Sequence, residues 1–246
     1  MKYDYMKQGN CLELMKEIPD KSIDMILCDL PYGTTRCKWD EIIPFEPLWE
    51  QYNRIIKNDG AIVLFATEPF ASKLRMSNLK HYKYDWIWDK VKGTGFLNAK
   101  RQPMRNHEVI CVFYKKQCTY NPQMSHGHVK KKSYKSPKLQ TDVYGNMKNN
   151  ILYESTERYP RSIQVFSTDT QKSSLHPTQK PVKLLEYLIK TYTNDGETVL
   201  DNCMGSGSTC IAAYNTNRHY IGFELNEKYF NIACERMNDH RMKVII

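Results

Sequence analysis

The segment Asp29-Leu-Pro-Tyr32 carries groups that could act on an amino group attached to an aromatic ring. It follows Ser22-Ile-Asp-Met-Ile-Leu-Cys28, an apolar run that predicts a buried strand, and Pro31 fixes a turn directly after that strand. Such a turn projects one carboxylate, one free backbone carbonyl and one aromatic ring beyond the edge of a sheet. The amino group of an aromatic base is a poor nucleophile, because its lone pair is delocalised into the ring.

Two hydrogen-bond acceptors could overcome that weakness. The Asp29 carboxylate and the Leu30 carbonyl would hold both N–H bonds and direct the lone pair at a methyl donor, while Tyr32 stacks on the ring. No separate general base is needed if the proton leaves after transfer of the methyl group from a positive sulfonium has begun. Taken alone, an Asp-x-Pro-Tyr segment is more often a turn that caps a helix.

A glycine-rich loop late in the sequence predicts a site for a nucleoside-containing cofactor. The strand Thr198-Val-Leu-Asp201 precedes Met204-Gly-Ser-Gly207, a helix begins at Ser208, and the strand Tyr220–Leu225 contains Glu224. Open α/β sheets bind ligands at the carboxyl ends of their strands, where glycine lets the ligand approach the backbone. A carboxylate at the end of the second strand can accept hydrogen bonds from ribose hydroxyls. The third glycine of the dinucleotide fingerprint is absent.

The elements that must position these two motifs alternate between strands and helices, which predicts a mostly parallel sheet with helices on its faces. Periodicity further predicts a helix over Pro47–Lys57 ended by Asn58-Asp-Gly60, a strand over Ala61–Thr67, an antiparallel pair over Tyr84–Trp88 and Glu108–Tyr114 with a loop at Lys92–Asn98, a helix over Val182–Tyr192 and a last helix from Asn226 to about Met237. Residues 116–175 lack such regularity.

The composition is that of a soluble globular protein with one sizeable core: 246 residues, 41% hydrophobic and 26% charged. The apolar run Ala61–Ala66 is too short to span a bilayer, and the N-terminus has no apolar signal region, so we expect a cytoplasmic protein without membrane contact. None of the eight cysteines forms a Cys-x-x-Cys pair or a zinc-like cluster, so we expect buried thiols and no metal.

The positive charge is concentrated in one part of the sequence. The net charge is +9, and residues 71–140 hold 16 Lys and Arg against 3 Asp and Glu. Charge alone is equally consistent with a solvated basic face, but aromatic residues interleave with these cations. That combination favours nucleic acid as the partner, because cations near phosphates release counterions.

Together the motifs resemble a known family. Asp29-Leu-Pro-Tyr32 resembles the catalytic motif of amino-methyltransferases that act on DNA, and Met204–Gly207 with Asp201 resembles their S-adenosylmethionine loop. His176-Pro-Thr-Gln-Lys-Pro181 is similar to the segment that helps hold the methionine end of the cofactor. The order, catalytic motif first, matches the beta arrangement of the N4/N6 DNA methyltransferase family. Further matches are Trp88-Asp-Lys90, Asn106-His-Glu108, Gly222-Phe-Glu-Leu225, Tyr229 and Arg236.

This resemblance implies a Rossmann-like methyltransferase fold with a mostly parallel, seven-stranded, circularly permuted sheet that an antiparallel hairpin completes. Residues 1–115 would form the catalytic half of the core and residues 176–246 the cofactor-binding half. Residues 116–175 would be the inserted target-recognition region that contacts double-stranded DNA. The implied cofactor is S-adenosyl-L-methionine, and both a monomer and a homodimer stay open.

The resemblance also assigns site residues. The catalytic residues are Asp29, Leu30, Pro31 and Tyr32. The cofactor-binding residues are Asn10, Cys11, Asp29, Lys180, Pro181, Asp201, Met204, Gly205, Ser206, Gly207 and Glu224. The basic segment, and not the resemblance, supplies the expected DNA-binding residues, which are Lys92, Lys100, Arg101, Arg105, Lys130, Lys131 and Lys132.

Two positions depart from the family pattern. Leu30 replaces the first proline of Asp-Pro-Pro-Tyr, a position that contributes a backbone carbonyl, so activity should survive. Asn10 replaces an aspartate whose side chain contacts the adenine amino group of the cofactor; the asparagine keeps an acceptor oxygen but loses the charge.

The expected function is transfer of a methyl group to the exocyclic amino group of a base flipped out of duplex DNA. Asp at position 29 is the more usual choice for N6 of adenine in this family, and Ser for N4 of cytosine. Three other hypotheses stay open: an enzyme for N4 of cytosine, a methyltransferase for RNA or a protein amide, and a DNA-binding regulator with a catalytically silent fold.

Overall fold

The computed structural model describes residues 3–33, 40–133, 140–141, 145–146, 153–168 and 179–244. Its helices are α1 (Cys11–Met15), α2 (Phe45–Ile55), α3 (Phe70–Ser77), α4 (Val182–Tyr192), α5 (Ser208–Asn215) and α6 (Glu227–Val244), with a short 3₁₀ helix at Phe96–Asn98. Its strands are β1 (Tyr5–Gln8), β2 (Ile23–Asp29), β3 (Ile56–Ala66), β4 (Tyr82–Thr94), β5 (Arg105–Phe113), β6 (Lys131–Ser133), β7 (Gln140–Thr141), β8 (Gly145–Asn146), β9 (Tyr153–Ser155), β10 (Ile163–Val165), β11 (Thr198–Asp201) and β12 (His219–Glu224).

One large sheet organises the protein, with strand order β1-β12-β11-β2-β3-β5-β4-β10. The strands from β1 to β3 in this order pair in parallel, β5 runs antiparallel to both β3 and β4, and β10 pairs in parallel with β4. Asp29 pairs with Phe65, and Asp201 pairs with Gly222. The carboxyl ends of β2, β11 and β12 therefore lie at one edge of the sheet, and this edge positions both sequence motifs.

The two faces of the sheet bury different helices. Ile26 and Cys28 pack in a core with residues of α1, α2 and α3, whereas Met25 and Leu27 pack in a core with residues of α4, α5 and α6. Successive residues of a strand point to opposite faces, so a strand covered on both sides needs a continuous apolar run. The run at residues 25–28 meets that requirement, and the buried Asp24 that precedes it pairs with Lys57.

The predicted fold class is confirmed, with differences in detail. The large sheet has eight strands and not seven, because Ile163–Val165 adds an edge strand within a region expected to be irregular. Asn58-Asp-Gly60 does not end α2; these residues belong to β3, which begins directly at Ile56. At Gly60 the strand passes close to β2, where an added Cβ would lie 2.7 Å from the Asp24 carbonyl oxygen.

Two further boundaries differ from the sequence prediction. The loop expected at Lys92–Asn98 is partly strand, because pairing with β5 extends β4 to Thr94. The last helix runs to Val244 and not to about Met237. The predicted antiparallel pair is confirmed as β4 and β5, and the predicted bounds of α4 and β11 match the structure.

A second compact unit comprises Pro122–Arg161, and the remainder of the described chain forms the first. Inside the second unit, β6 pairs with β9, β7 pairs with β8, and Ser125 bridges Arg158. This unit lies within the region 116–175 that the sequence suggested for target recognition. Among the described residues, no helix is long and apolar enough to cross a lipid bilayer.

Candidate active site

A cavity of about 360 Å³ opens at the carboxyl edge of the large sheet. Its size lies in the range of pockets that bind small organic molecules. Most of the residues predicted for catalysis and cofactor binding line it together: Asn10, Cys11, Asp29, Leu30, Pro31, Tyr32, Lys180, Asp201, Met204, Gly205, Ser206 and Glu224. Two predicted cofactor residues do not line this cavity: Pro181 is the N-cap of α4, and Gly207 is the residue before α5.

Asp29 is held at the end of β2 by two side chains. The Tyr32 hydroxyl donates to Asp29 Oδ1 at 2.5 Å, and the Lys180 ammonium donates to Asp29 Oδ2 at 2.6 Å. The Tyr32 ring also stacks on Phe70, with 5.1 Å between ring centroids. Each carboxylate oxygen has further acceptor capacity, so Asp29 can still accept hydrogen bonds from an amino group in the cavity.

Lys180 also belongs to a buried charge network. Its Nζ lies 3.2 Å from Glu108 Oε2, and Lys90 Nζ lies 3.1 Å from Glu108 Oε1. Lys180 and Lys90 are both buried. Buried charges need such pairing, because removal from water is costly. Sequence reasoning noted Lys90 and Glu108 only as motif matches and assigned neither a role; neither stands out locally, because β4 contains four other charged residues and β5 also contains Arg105.

The network sets the protonation of its members. Burial raises the pKa of Asp29, the Lys180 ammonium opposes that rise, and Glu108 adds to it. Burial alone would lower the pKa of Lys180, but the Asp29 and Glu108 carboxylates outweigh burial and raise it. Burial alone would raise the pKa of Glu108, but Lys180 and Lys90 hold it below its usual value. Lys180 thus stays cationic and favours an ionised Asp29.

Asp40 is a second residue that sequence reasoning missed. Its buried carboxylate accepts hydrogen bonds from the backbone N–H groups of Tyr32 (2.8 Å) and Gly33 (2.9 Å), both to Oδ1. These bonds fix the turn after β2, and with it the position of Tyr32. No pattern in the sequence marks Asp40, because its partners are backbone groups that every non-proline residue has.

The glycine-rich loop is tied to the strand beside it. Gly205 N–H donates to Glu224 Oε2 at 2.9 Å, and Asn226 N–H donates to Glu224 Oε1 at 2.8 Å. Gly207 has φ +77°, and an added Cβ would lie 3.1 Å from the Cβ of Ala233. The loop therefore needs glycine at position 207, both for its backbone conformation and for its packing against α6.

Asp201 is buried beneath this loop. Its Oδ1 accepts the Cys203 N–H at 3.1 Å. Burial raises the pKa of Asp201 to about 7, although the Thr209 hydroxyl and the Cys203 N–H stabilise its charged form. Arg236, another family match, donates to the backbone oxygen of Ser206 at 2.9 Å. These contacts fix the shape of the loop from below.

Other predicted cofactor residues have structural contacts of their own. Asn10 caps α1, and its Oδ1 accepts the Leu12 N–H at 2.9 Å. Cys11 is buried at the start of the same helix. In the segment predicted to hold the methionine end of the cofactor, Lys180 and Pro181 are described, whereas residues 176–178 lie outside the described residues.

The predicted DNA-binding residues fall into two groups. Lys92, Lys100, Arg101 and Arg105 lie on the hairpin formed by β4 and β5, and all four are exposed. In the second unit, Lys130, Lys131 and Lys132 lie at β6, where Lys130 and Lys132 both pair with Glu154. The structure thus places the seven cations on two separate units.

The residues that line the cavity fit a nucleoside-containing cofactor. A glycine-containing turn, a carboxylate at the end of β12 and an apolar lining meet at the carboxyl edge of a parallel sheet, which is where open α/β folds bind such ligands. Both Glu224 oxygens accept one backbone N–H each and keep capacity for a hydroxyl donor. The fold and this site define an α/β protein of the methyltransferase class.

Comparison with known proteins identifies the family. Residues 23–235 match the N6/N4 methyltransferase family model, described as a DNA methylase, and the chain belongs to this family of DNA methyltransferases. Members use S-adenosylmethionine, so the predicted cofactor is confirmed. The type II methyltransferase M1.MboII of Moraxella bovis is 29% identical, over 92% of this chain and 93% of its own.

Two solved structures share the fold. The complex of M1.HpyAVI with S-adenosylmethionine has a TM-score of 0.65 at 24% identity and covers 95% of this chain and 98% of its own. The cytosine-N4-specific PvuII DNA methyltransferase has a TM-score of 0.66 at 15% identity and covers 98% of this chain and 92% of its own. Both likenesses cover nearly the whole of this chain and show its fold.

Proposed function

We propose that this DNA methyltransferase is site-specific and transfers a methyl group from S-adenosylmethionine to N6 of an adenine that has left the duplex. The observation that supports the proposal best is Asp29, a carboxylate inside the cavity, beside a buried Lys180 that favours its ionised form. Aspartate at this position is also the more usual choice for adenine in the family that the motifs resemble.

Asp29, Leu30, Pro31 and Tyr32 would form the catalytic turn. The Asp29 carboxylate and the Leu30 carbonyl accept the two N–H bonds of the target amino group, and the Tyr32 ring packs on the base. Bound S-adenosylmethionine would supply an electrophilic methyl group. The amino nitrogen would then form a bond to the methyl carbon as the sulfur–carbon bond breaks. The methylated nitrogen would release one of its protons to solvent.

The other cavity residues would hold the cofactor. Glu224 accepts hydrogen bonds from the ribose hydroxyls, and the absence of a side chain at Gly205 lets the ligand approach the backbone. The cofactor-binding set is Asn10, Cys11, Asp29, Lys180, Pro181, Asp201, Met204, Gly205, Ser206, Gly207 and Glu224. Within it, the structure supports an indirect role for Pro181 and Gly207, which shape α4 and the loop before α5.

The cations of the hairpin and those of the second unit would bind the phosphates of DNA. Lys92, Lys100, Arg101 and Arg105 bind phosphates near the catalytic edge. Lys130, Lys131 and Lys132 bind phosphates from the unit in which target recognition would lie. Phosphate contacts fix position, and residues that reach base edges select the sequence.

The first experiment incubates the purified protein with labelled S-adenosylmethionine and unmethylated genomic DNA, followed by digestion to nucleosides and mass identification of the labelled base. Label in N6-methyladenine is the expected result. Asp29→Ala should lower methyl transfer by about 100-fold or more, while the exposed Asp239→Ala control keeps the wild-type rate.

The other results separate the remaining hypotheses. Label in N4-methylcytosine would keep the mechanism and overturn the adenine assignment. Cofactor binding without label in any DNA would favour RNA substrates or a catalytically silent regulator. Near-normal transfer by Asp29→Ala would remove Asp29 from the catalytic role.

A further inference from the structure

The tip of the hairpin formed by β4 and β5 presents two large apolar side chains to solvent. Phe96 is 78% exposed and Leu97 is 98% exposed, on the 3₁₀ helix that joins the two strands. Gly95, with φ +88°, begins this turn and has no neighbour within 4 Å of its Cβ position. Adjacent apolar side chains that fold into no core usually mark an interaction site.

The charge around the tip indicates a polyanionic partner. Residues 91–106 contain Lys92, Lys100, Arg101 and Arg105 and no acidic residue. None of these four cations forms an ion pair with a carboxylate of the described residues. A second copy of this chain would bring the same four cations together and repel the first. Duplex DNA instead combines outer phosphates with an apolar stack of bases.

The strand register places this tip beyond the catalytic edge of the sheet. Asp29 pairs with Phe65, which pairs with Ile110 on β5, and Glu108 on that strand pairs with Trp88 on β4. Glu108 is joined to Asp29 through Lys180. Beyond this point the pairing continues from Asp89 with His107 to Thr94 with Arg105, which is two residues of β5 or about 7 Å, and β4 is irregular there. The hairpin therefore rises from the base of the active site.

We propose that Phe96 and Leu97 form a wedge that enters the base stack of duplex DNA at the target position and occupies the gap left by the flipped base. The proposal rests on the proposed DNA methylation at Asp29. Apolar wedges part base steps in other proteins that deform DNA, and an extruded base leaves a gap that apolar side chains fill better than water. The flanking cations would hold the phosphates on either side.

The test compares the double variant Phe96→Ala/Leu97→Ala with a matched control, Met76→Ala/Leu79→Ala. The control residues are 69% and 60% exposed and lie before the start of β4, at the other end of that strand. Each protein is assayed on a short duplex that carries the site methylated by the wild type, and on the same duplex with the target base mismatched. A third duplex has 2-aminopurine at the target position and reports base flipping by fluorescence.

We expect the double variant to lose about tenfold or more in kcat/KM on the matched duplex and much less on the mismatched one, whose base is easier to extrude. Its 2-aminopurine signal should be weak, while its thermal stability and cofactor affinity stay at wild-type values. The control should behave as the wild type on every substrate.

Three results would overturn the wedge. The first is an equal loss on matched and mismatched duplexes, which would make the tip a general binding contact. The second is a wild-type dimer that the double variant converts to a monomer, which would make the tip an interface between copies. The third is full activity and full fluorescence in the double variant. If the wild-type protein methylates no DNA, the proposed function fails, and the wedge fails with it.

Discussion

The Lys180 ammonium and the Asp29 carboxylate, 151 residues apart in the chain, are joined by a hydrogen bond of 2.6 Å. The same ammonium contacts Glu108, which Lys90 holds from its other side. A single lysine therefore links the segment before α4 to the catalytic turn after β2 and to the base of the hairpin. The electrostatics of Asp29 depend on all three parts.

Removal of one charge from this network should move the pH dependence of methyl transfer. Lys180 lowers the pKa of Asp29 and Glu108 raises it, so the acid limb should move to higher pH in Lys180→Gln and to lower pH in Glu108→Gln. Profiles of kcat against pH check this prediction. Shifts in the same direction would show that Asp29 does not control the acid limb.

Lys180→Gln should also lower stability, by about 3 kcal/mol, because it leaves the partly buried carboxylates of Glu108 and Asp29 without their shared counter-charge. Urea unfolding measures the change. The matched control is Lys16→Gln, which removes an exposed lysine that pairs only with Glu13 at the surface and should cost less than about 1 kcal/mol.

Asp201 should give the protein a stability that falls as pH rises. Its pKa is raised to about 7 in the folded chain, so between about pH 4 and pH 7 the unfolded chain has released a proton that the folded chain keeps. Each pH unit in that window then costs up to about 1.4 kcal/mol. Asp201→Asn removes this slope. The free energy of unfolding of the variant, relative to that of the wild type, should therefore increase from about pH 5 to pH 7.

Urea unfolding across that range tests the prediction. Asp195→Asn, which changes an exposed carboxyl, should leave the slope of the wild type intact. A slope that survives in Asp201→Asn would assign the pH dependence to another group.

The loss of Asp40 should impair turnover more than cofactor binding. Asp40→Ala leaves the N–H groups of Tyr32 and Gly33 without their acceptor, which costs about 1.5–3 kcal/mol and frees the catalytic turn. A displaced turn should lower kcat by about tenfold or more. Asp40→Asn keeps one acceptor oxygen and should retain most of the activity. Equal loss in both variants would mean that the charge of Asp40, and not its bonds to the turn, matters.

Alanine substitutions at Gly207 and Gly196 distinguish the cost of backbone strain from an effect on cofactor binding by the loop. Both have a left-handed φ, +77° and +78°, but an added Cβ meets Ala233 only at Gly207. Alanine at either position should cost about 1–2 kcal/mol of unfolding free energy through φ alone. Calorimetric titration with S-adenosylmethionine should show weaker binding only for Gly207→Ala. Unchanged affinity in Gly207→Ala would show that cofactor binding does not depend on the shape of the loop at this position.

Local patterns predicted much of the fold. The bounds of α4 and β11 match the structure, because a helix needs apolar residues at a period of 3.6 and a buried strand needs a continuous apolar run. The prediction that Asn58-Asp-Gly60 ends α2 was wrong, because the same residues suit both a turn and an irregular strand. Only the close approach of β3 to β2 at Gly60 decided between them.

The sequence by itself determined the two motifs, their order and the chemistry that each residue type allows, because these properties are local and depend on composition and spacing. The tertiary structure alone decided which charges meet. The pairing of Glu108 with Lys90 and Lys180 follows from the register of β4 and β5, and the contact of Lys180 with Asp29 follows from the packing of α4 against the sheet. Contacts between residues distant in sequence leave no local pattern, so the sheet had to be assembled before the network of charges around Asp29 could be recognised.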